Sequence, residues 1–315
     1  MVVDEILGKF ETRYFGLGHK NTEYSLLNGV EENAFSSEIV FVAKINQSCG
    51  WSEKNGEILK PHLSTVDGLI LAVLVAEGYL CRYNSDICLD TLYLASFEIK
   101  AGVVPVEDLR RIPMILEKRI IQKDKQKFTV FILGMRITLQ LKKCNSTTIQ
   151  NKNSKEQVAH YMSNHLKHLR HDIQNIEIFN GKEMMCEVTR SMQSEVIYSG
   201  IGSKVAQAMS LIEWLIIFSQ MSQVVAYNFD DIERKYSDTF WMRSAKAEMD
   251  EPYQYNPEKV LVSGGINRTQ VISMNNESWR TFNMAGETAD SKVRFSGKLA
   301  HKVPEKVSSG SEERG

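Results

Sequence analysis

The chain has 315 residues, 43% of them hydrophobic, enough for one large domain or two ordinary ones. Its 38 Lys+Arg against 39 Asp+Glu give a formal net charge of -1, with a pI near 6.7 and a mean hydropathy of -0.27. Near-balance argues against a nucleic-acid footprint, which needs clustered cationic excess, and against an acidic disordered protein. The five cysteines are widely spaced with no CxxC pair, which reads as reduced thiols and a cytoplasmic location. No basic segment followed by an apolar run marks a signal peptide at Met1. The two greasiest runs, residues 69–76 and 211–218, are too short to span a membrane and lie among Asp67, Glu77 and Glu213.

In chain order, residues 37–45 read as a strand and 64–83 as a helix. Strands follow at 92–100, 113–122 and 128–142. Polar sequence at 144–155 reads as a connection between domains. Beyond it come a short helix at 155–169, strands at 173–179 and 184–192, and a long helix from Ser203, taken as its N-cap, to about Ile232. Strands at 239–248, 259–266, 270–274 and 278–284 complete the order, and charge with Ser and Gly from 286 to 315 suggests a disordered tail.

Both halves therefore run strand, long helix, then three or more strands. Residues 69–76 are apolar on every side, so that helix has to be buried all round, as inside a curled antiparallel sheet. Two such units make an α+β double hotdog: a first hotdog over 1–145, a second over 155–285, and the tail.

The candidate chemistry centres on residues 61–68, Pro-His-Leu-Ser-Thr-Val-Asp-Gly. Ser64 and Asp67 form a capping-box pattern, which accounts for both as helix-start residues. The chemical alternative uses the helix N-terminus as an oxyanion site, with His62 and Asp67 as acid and base and Gly68 beside them. Glu77 is either at the surface, ion-paired, or lining a pocket. Ser203, Gln220 and Gln223 are candidate polar contacts along the second helix. Arg234 and Arg243 either pair with Asp230, Asp231 or Asp238 or clamp a phosphate or carboxylate. His160, His165, His168 and His171 lack a second ligand cluster and read as a solvated basic helix face, so no metal is expected. No phosphate loop, dinucleotide fingerprint or nucleophile elbow is present, and no cofactor is indicated.

Four segments resemble the avirulence D (AvrD) family: Thr12-Arg-Tyr-Phe-Gly-Leu-Gly18, Lys60-Pro-His-Leu-Ser-Thr-Val-Asp67, residues 220–227, and Asp231-Ile-Glu-Arg-Lys-Tyr-Ser-Asp-Thr-Phe-Trp-Met-Arg243. The resemblance implies a biosynthetic enzyme joining a β-ketoacyl thioester to a xylulose-like pentulose, giving an acyl-sugar lactone of the syringolide type. It implies acyl-CoA or acyl carrier protein and a small sugar as partners, with a homodimer as a further option. The A-factor synthase family, also similar to a double hotdog, is a more distant likeness. On the same fold, a dehydratase acting on 3-hydroxyacyl thioesters or a non-catalytic acyl- or lactone-binding module are the alternatives. His62 and Asp67 rest on the helix-terminus argument alone.

Overall fold

A computed structural model describes residues 1–32, 38–48, 50–144, 158–194, 196–237, 240–253, 259–274 and 276–303. The expected connection at 144–155 lies almost wholly outside this set, as do Asp238 and Cys49. Twelve strands form one antiparallel sheet. In the first half these are β1 (Thr22–Glu32), β2 (Ile39–Gln47), β3 (Leu92–Lys100), β4 (Ile112–Ile121), β5 (Lys125–Ile132) and β6 (Met135–Lys143). In the second half they are β7 (Leu169–Phe179), β8 (Glu183–Met192), β9 (Trp241–Met249), β10 (Val260–Met274), β11 (Glu277–Thr288) and β12 (Val293–Lys302).

The spatial order is β1-β2-β4-β5-β6-β3-β9-β12-β11-β10-β8-β7. Read inward from either edge, the two halves have the same order, and they join where β3 pairs with β9. A long helix follows the second strand in each half: α1 (Thr65–Tyr83) and α2 (Leu211–Asp230). The molecule is an α+β double hotdog, built as one topology used twice.

Both helices begin with the same device. The Ser64 hydroxyl accepts the Asp67 N–H while the Asp67 carboxylate accepts the Ser64 N–H; Ser210 and Glu213 repeat this on α2. Ser210, not Ser203, is thus the cap of the second helix; Ser203 sits in a separate 3-10 turn, Ser203–Val205. Val66 to Glu77 are buried without a break, so α1 has no wet face over three turns. Each fully buried Leu, Ile or Val there contributes roughly 1.5–3 kcal/mol. Among the described residues no helix is long and apolar enough to cross a membrane.

Several expectations need correcting. Residues 128–142 are two strands, because Leu133 and Gly134 take φ of 46° and 89° and make a two-residue hairpin turn. The two strands expected within 259–274 are one, Val260–Met274, whose register shifts between Ile266 and Arg268. The short helix spans only Tyr161–Asn164 before a 3-10 turn, His165–His168. The expected tail is the largest correction: β12 lies between β9 and β11, and β11 itself runs to Thr288. Val293, Phe295, Gly297 and Leu299 face the core while Arg294, Ser296 and Lys298 face solvent. The charge, Ser and Gly taken for disorder are the outer face of an alternating strand. Residues 304–315 lie outside the described set.

Candidate functional site

The residues ahead of β1 fold back over the start of α1. Tyr14 is buried and its hydroxyl hydrogen-bonds Ser64 Oγ, which donates to Asp67 Oδ2 at 2.7 Å. Tyr24 on β1 donates to the other carboxylate oxygen at 2.7 Å. Asp67 is wholly buried, and burial raises its pKa against the opposing effect of these donors. The carboxylate therefore holds the helix start and anchors a relay, Tyr14–Ser64–Asp67, whose outer members Tyr14 and Ser64 reach open space.

That space is a cleft of about 150 Å³ between the two halves. One wall is the start of α1 with His62, Leu63, Ser64 and Thr65; the facing wall is α2 with Gln220, Gln223 and Tyr227. The 101–106 loop, the β5–β6 turn with Leu133 and Met135, and Trp241 and Met242 of β9 make an apolar end. Arg13, Lys54 and Arg234 also line it, and among the described residues no Asp or Glu does.

His62 is held by two indoles: it stands edge-on to Trp51 with centroids 4.5 Å apart and stacks on Trp241 at 5.7 Å. Burial lowers its pKa, so the imidazole is neutral at pH 7 and available as a base. The capping box uses the Ser64 and Asp67 N–H groups; those of Thr65 and Val66 have no intrahelical acceptor by construction, and Thr65 opens onto the cleft. Arg13 donates to Gln220 at 2.7 Å and also binds Asp4, yet its Nε and the Trp51 Nε1 are buried without a partner among the described residues. Arg234 donates to neutral groups, Ser52 Oγ and the Glu53 carbonyl at 3.1 Å, and burial lowers its pKa. The cleft thus offers a neutral base, amide donors, unspent N–H groups and positive charge in one place.

Of the residues marked in the sequence, His62, Gln220, Gln223 and Arg234 meet at this cleft. The others do not line it. Gly68 is where α1 presses on β6: a Cβ there would run into Met135. Glu77 accepts from the Ile201 N–H and pairs with His160 Nε2, each at 2.7 Å, tying α1 to the second half. Ser203 is buried in its turn. Arg243 donates to the Gly102 carbonyl at 2.8 Å, bracing the rim from outside. Neither arginine pairs with Asp230, which is taken by Arg280 at 2.6 Å and His301 at 2.7 Å.

The histidine group is not a solvated face. His165 is buried and stacked on Tyr161 at 4.2 Å, and His171 binds Glu213 at 2.9 Å. These residues rebuild the α1 site at the start of α2: Tyr161, Ser210, Glu213 and His171 stand where Tyr14, Ser64, Asp67 and Tyr24 stand in the first half. His19 and His165 each bond the backbone carbonyl of that tyrosine at 2.9 Å. The second site is closed, however: Tyr93, Met162, Met249 and Pro252 reduce its space to about 20 Å³. Among the described residues no group of three or more His, Cys, Asp or Glu is arranged to hold a metal ion.

Arg13, Tyr14, Tyr24, Trp51 and Lys54 were not singled out as site residues. The Thr12–Gly18 segment carried the one available signal, an Arg-Tyr-Phe run ahead of the first strand.

Two hotdog units in one chain, with one open and one filled helix-start site among the described residues, define a double hotdog protein. The chain belongs to the AvrD family: the family model described as Pseudomonas avirulence D protein (AvrD) matches residues 1–304. No curated protein matches. The chain is similar in structure to a TesB protein of Mycobacterium avium subspecies paratuberculosis, with 8% identity, a TM-score of 0.43, and 84% of this chain and 93% of that one covered. It is also similar to the acyl-CoA thioesterase II TesB2 from Mycobacterium marinum, with 8% identity, a TM-score of 0.42, and 89% and 96% covered. A third is the dehydratase domain from the CurJ module of curacin polyketide synthase, with 10% identity, a TM-score of 0.33, and 90% and 98% covered.

Proposed function

We propose that the protein is a biosynthetic enzyme that joins a β-ketoacyl thioester to a pentulose and closes an acyl-sugar lactone. The observation that carries this reading is the cleft itself, where the start of α1, a neutral His62 and the cations Arg13, Lys54 and Arg234 meet an apolar end. Membership of the AvrD family supports the product class.

The apolar end formed by Leu133, Met135 and Met242 takes the acyl chain. His62 removes a proton from a pentulose hydroxyl as its oxygen attacks the thioester carbon; the C–S bond breaks and the leaving thiolate takes that proton from His62. The α1 amides stabilise the oxyanion, a contribution worth about 3–4 kcal/mol when such donors are removed elsewhere. His62, neutral again, then takes a proton from the carbon between the two acyl carbonyls. That carbanion adds to the pentulose carbonyl, forming a C–C bond and an alkoxide that is protonated in turn, and the ring is closed. Arg234, and Arg13 through the guanidinium edge not taken by Asp4, stabilise the enolate and alkoxide charge.

Dehydration of a 3-hydroxyacyl thioester is less well served, because its second group, Asp67, lies behind Ser64 and Tyr14 rather than in the cleft. Supplying a β-ketoacyl thioester with and without xylulose tests the reading. The condensed product is expected only with the sugar, and only free acid or unchanged thioester in both mixtures would overturn it.

A further inference from the structure

We propose that the outer face of the sheet beside the cleft is a docking surface for an acidic acyl carrier protein, which presents the acyl thioester to the site described above. This rests on the acyl-thioester reading but concerns a different surface. Lys298, Ser244, Lys100 and Arg136 lie directly opposite one another in a row across β12, β9, β3 and β6. The next row on the same face, two residues along each strand, runs Lys246, Glu98, Thr138, Thr129 and Lys118. Lys127 of β5 continues the face beyond Thr129. All six cations are exposed.

Glu98 lies 3.5 Å from Lys100 and Glu117 lies 2.9 Å from Arg136. Among the described residues Lys118, Lys127, Lys246 and Lys298 have no carboxylate within ion-pair distance. A strip of unneutralised like charge is costly to assemble and is stabilised by an anionic partner. It cradles a shallow depression of about 380 Å³.

The strip runs into the cleft. Lys100 precedes Ala101 and Gly102, Arg136 follows Met135, and Ser244 follows Trp241 and Met242 by three and two residues; all five of these neighbours line the cleft. Arg243 closes the corner by holding the Gly102 carbonyl. A partner on the strip therefore sits beside the mouth.

Its size identifies the partner. The cations span six adjacent strands, roughly 24 Å at about 4.8 Å per strand. The phosphates of one coenzyme A reach only part of that width, whereas an acidic helix of about 16 residues matches it. A homodimer through this face would set like charges against each other.

The test uses the full chain with a bacterial fatty-acid carrier protein, in its holo form and bearing a 3-oxooctanoyl group, beside 3-oxooctanoyl-CoA and a DNA duplex. The triple variant Lys100→Glu/Lys246→Glu/Lys298→Glu is compared with wild type and with the corresponding triple Gln variant. The proposal expects the wild type to bind both carrier forms, about tenfold more weakly at 300 mM than at 50 mM salt. It expects a further loss of about tenfold in the Glu variant and an intermediate loss in the Gln variant, with acyl-CoA binding changed less than about twofold and the melting temperature unchanged. Equal carrier binding by wild type and both variants, tighter binding of acyl-CoA than of acyl-carrier by the wild type, or tighter binding of DNA with the same charge sensitivity overturns it. Holo-carrier binding needs no turnover, so failure of the condensation reading leaves this outcome independent.

Discussion

His62 is the residue on which the chemistry turns, and its surroundings are built to keep it neutral and fixed. Trp51 and Trp241 confine the ring, and burial lowers its pKa. His62→Ala is expected to cut condensation by at least about a hundredfold, the scale of a lost general base, with an unchanged melting temperature. Product formation at wild-type rate would remove it from the mechanism. Other buried imidazoles set the pH response of stability. Burial brings His19 to about 3 and His165 to about 4, from an ordinary 6.5. The unfolded chain takes up these protons below about pH 6.5 while the folded chain does not, so stability falls as pH drops through that window. The loss is about 2 kcal/mol per histidine between pH 7 and 5. Urea unfolding at the two pH values should show the drop, and His165→Gln should reduce it; a flat profile contradicts this account.

The helices were the most legible elements, and the reason lies in their sequence. Ser64 with Asp67 marks a start, and an unbroken apolar run can only be buried all round, so α1 and the hotdog wrapping followed from residues 64–83. β12 was not legible because composition averages the two faces of a strand, and its outward Arg, Ser and Lys masked the inward Val, Phe and Leu. The capping box at Ser64 is legible in the sequence; that Tyr14 and Tyr24 seal Asp67 away from the cleft is not, since those contacts span 50 and 43 residues. Ser64→Ala is expected to cost about 1–2 kcal/mol, from the lost cap and a buried carboxylate short of a donor. Gly68 distinguishes packing from binding: Gly68→Ala should destabilise by about 1–3 kcal/mol, with part of the loss recovered in Gly68→Ala/Met135→Ala. Additive losses in that thermal-melt cycle would show that the two sites are not coupled.

At the scale of the molecule, one topology used twice produces two helix-start sites; among the described residues the second is filled and the first is left as a cleft whose walls come from both halves. Neither half alone contains it, and the pairing of Arg13 with Gln220 across 207 residues has no local signature in the sequence. Net charge hid a second property: a chain with an overall charge of -1 sets six of its cations on one face of the sheet, because only the strand register brings Lys100, Lys298 and Arg136 into one row. Truncation after Ser291 removes the strand between β9 and β11 and should abolish soluble expression, since it opens the middle of the sheet rather than trimming an end. The central claim is condensation in the cleft, and the most direct measurement is mass spectrometry of a β-ketoacyl thioester and xylulose incubated with wild type and His62→Ala. The account predicts, with wild type alone, a product whose mass is the sum of the β-ketoacid and the pentulose less the water lost in forming the ester; thioester cleaved to free acid, or left intact, whether or not the sugar is present, would contradict it.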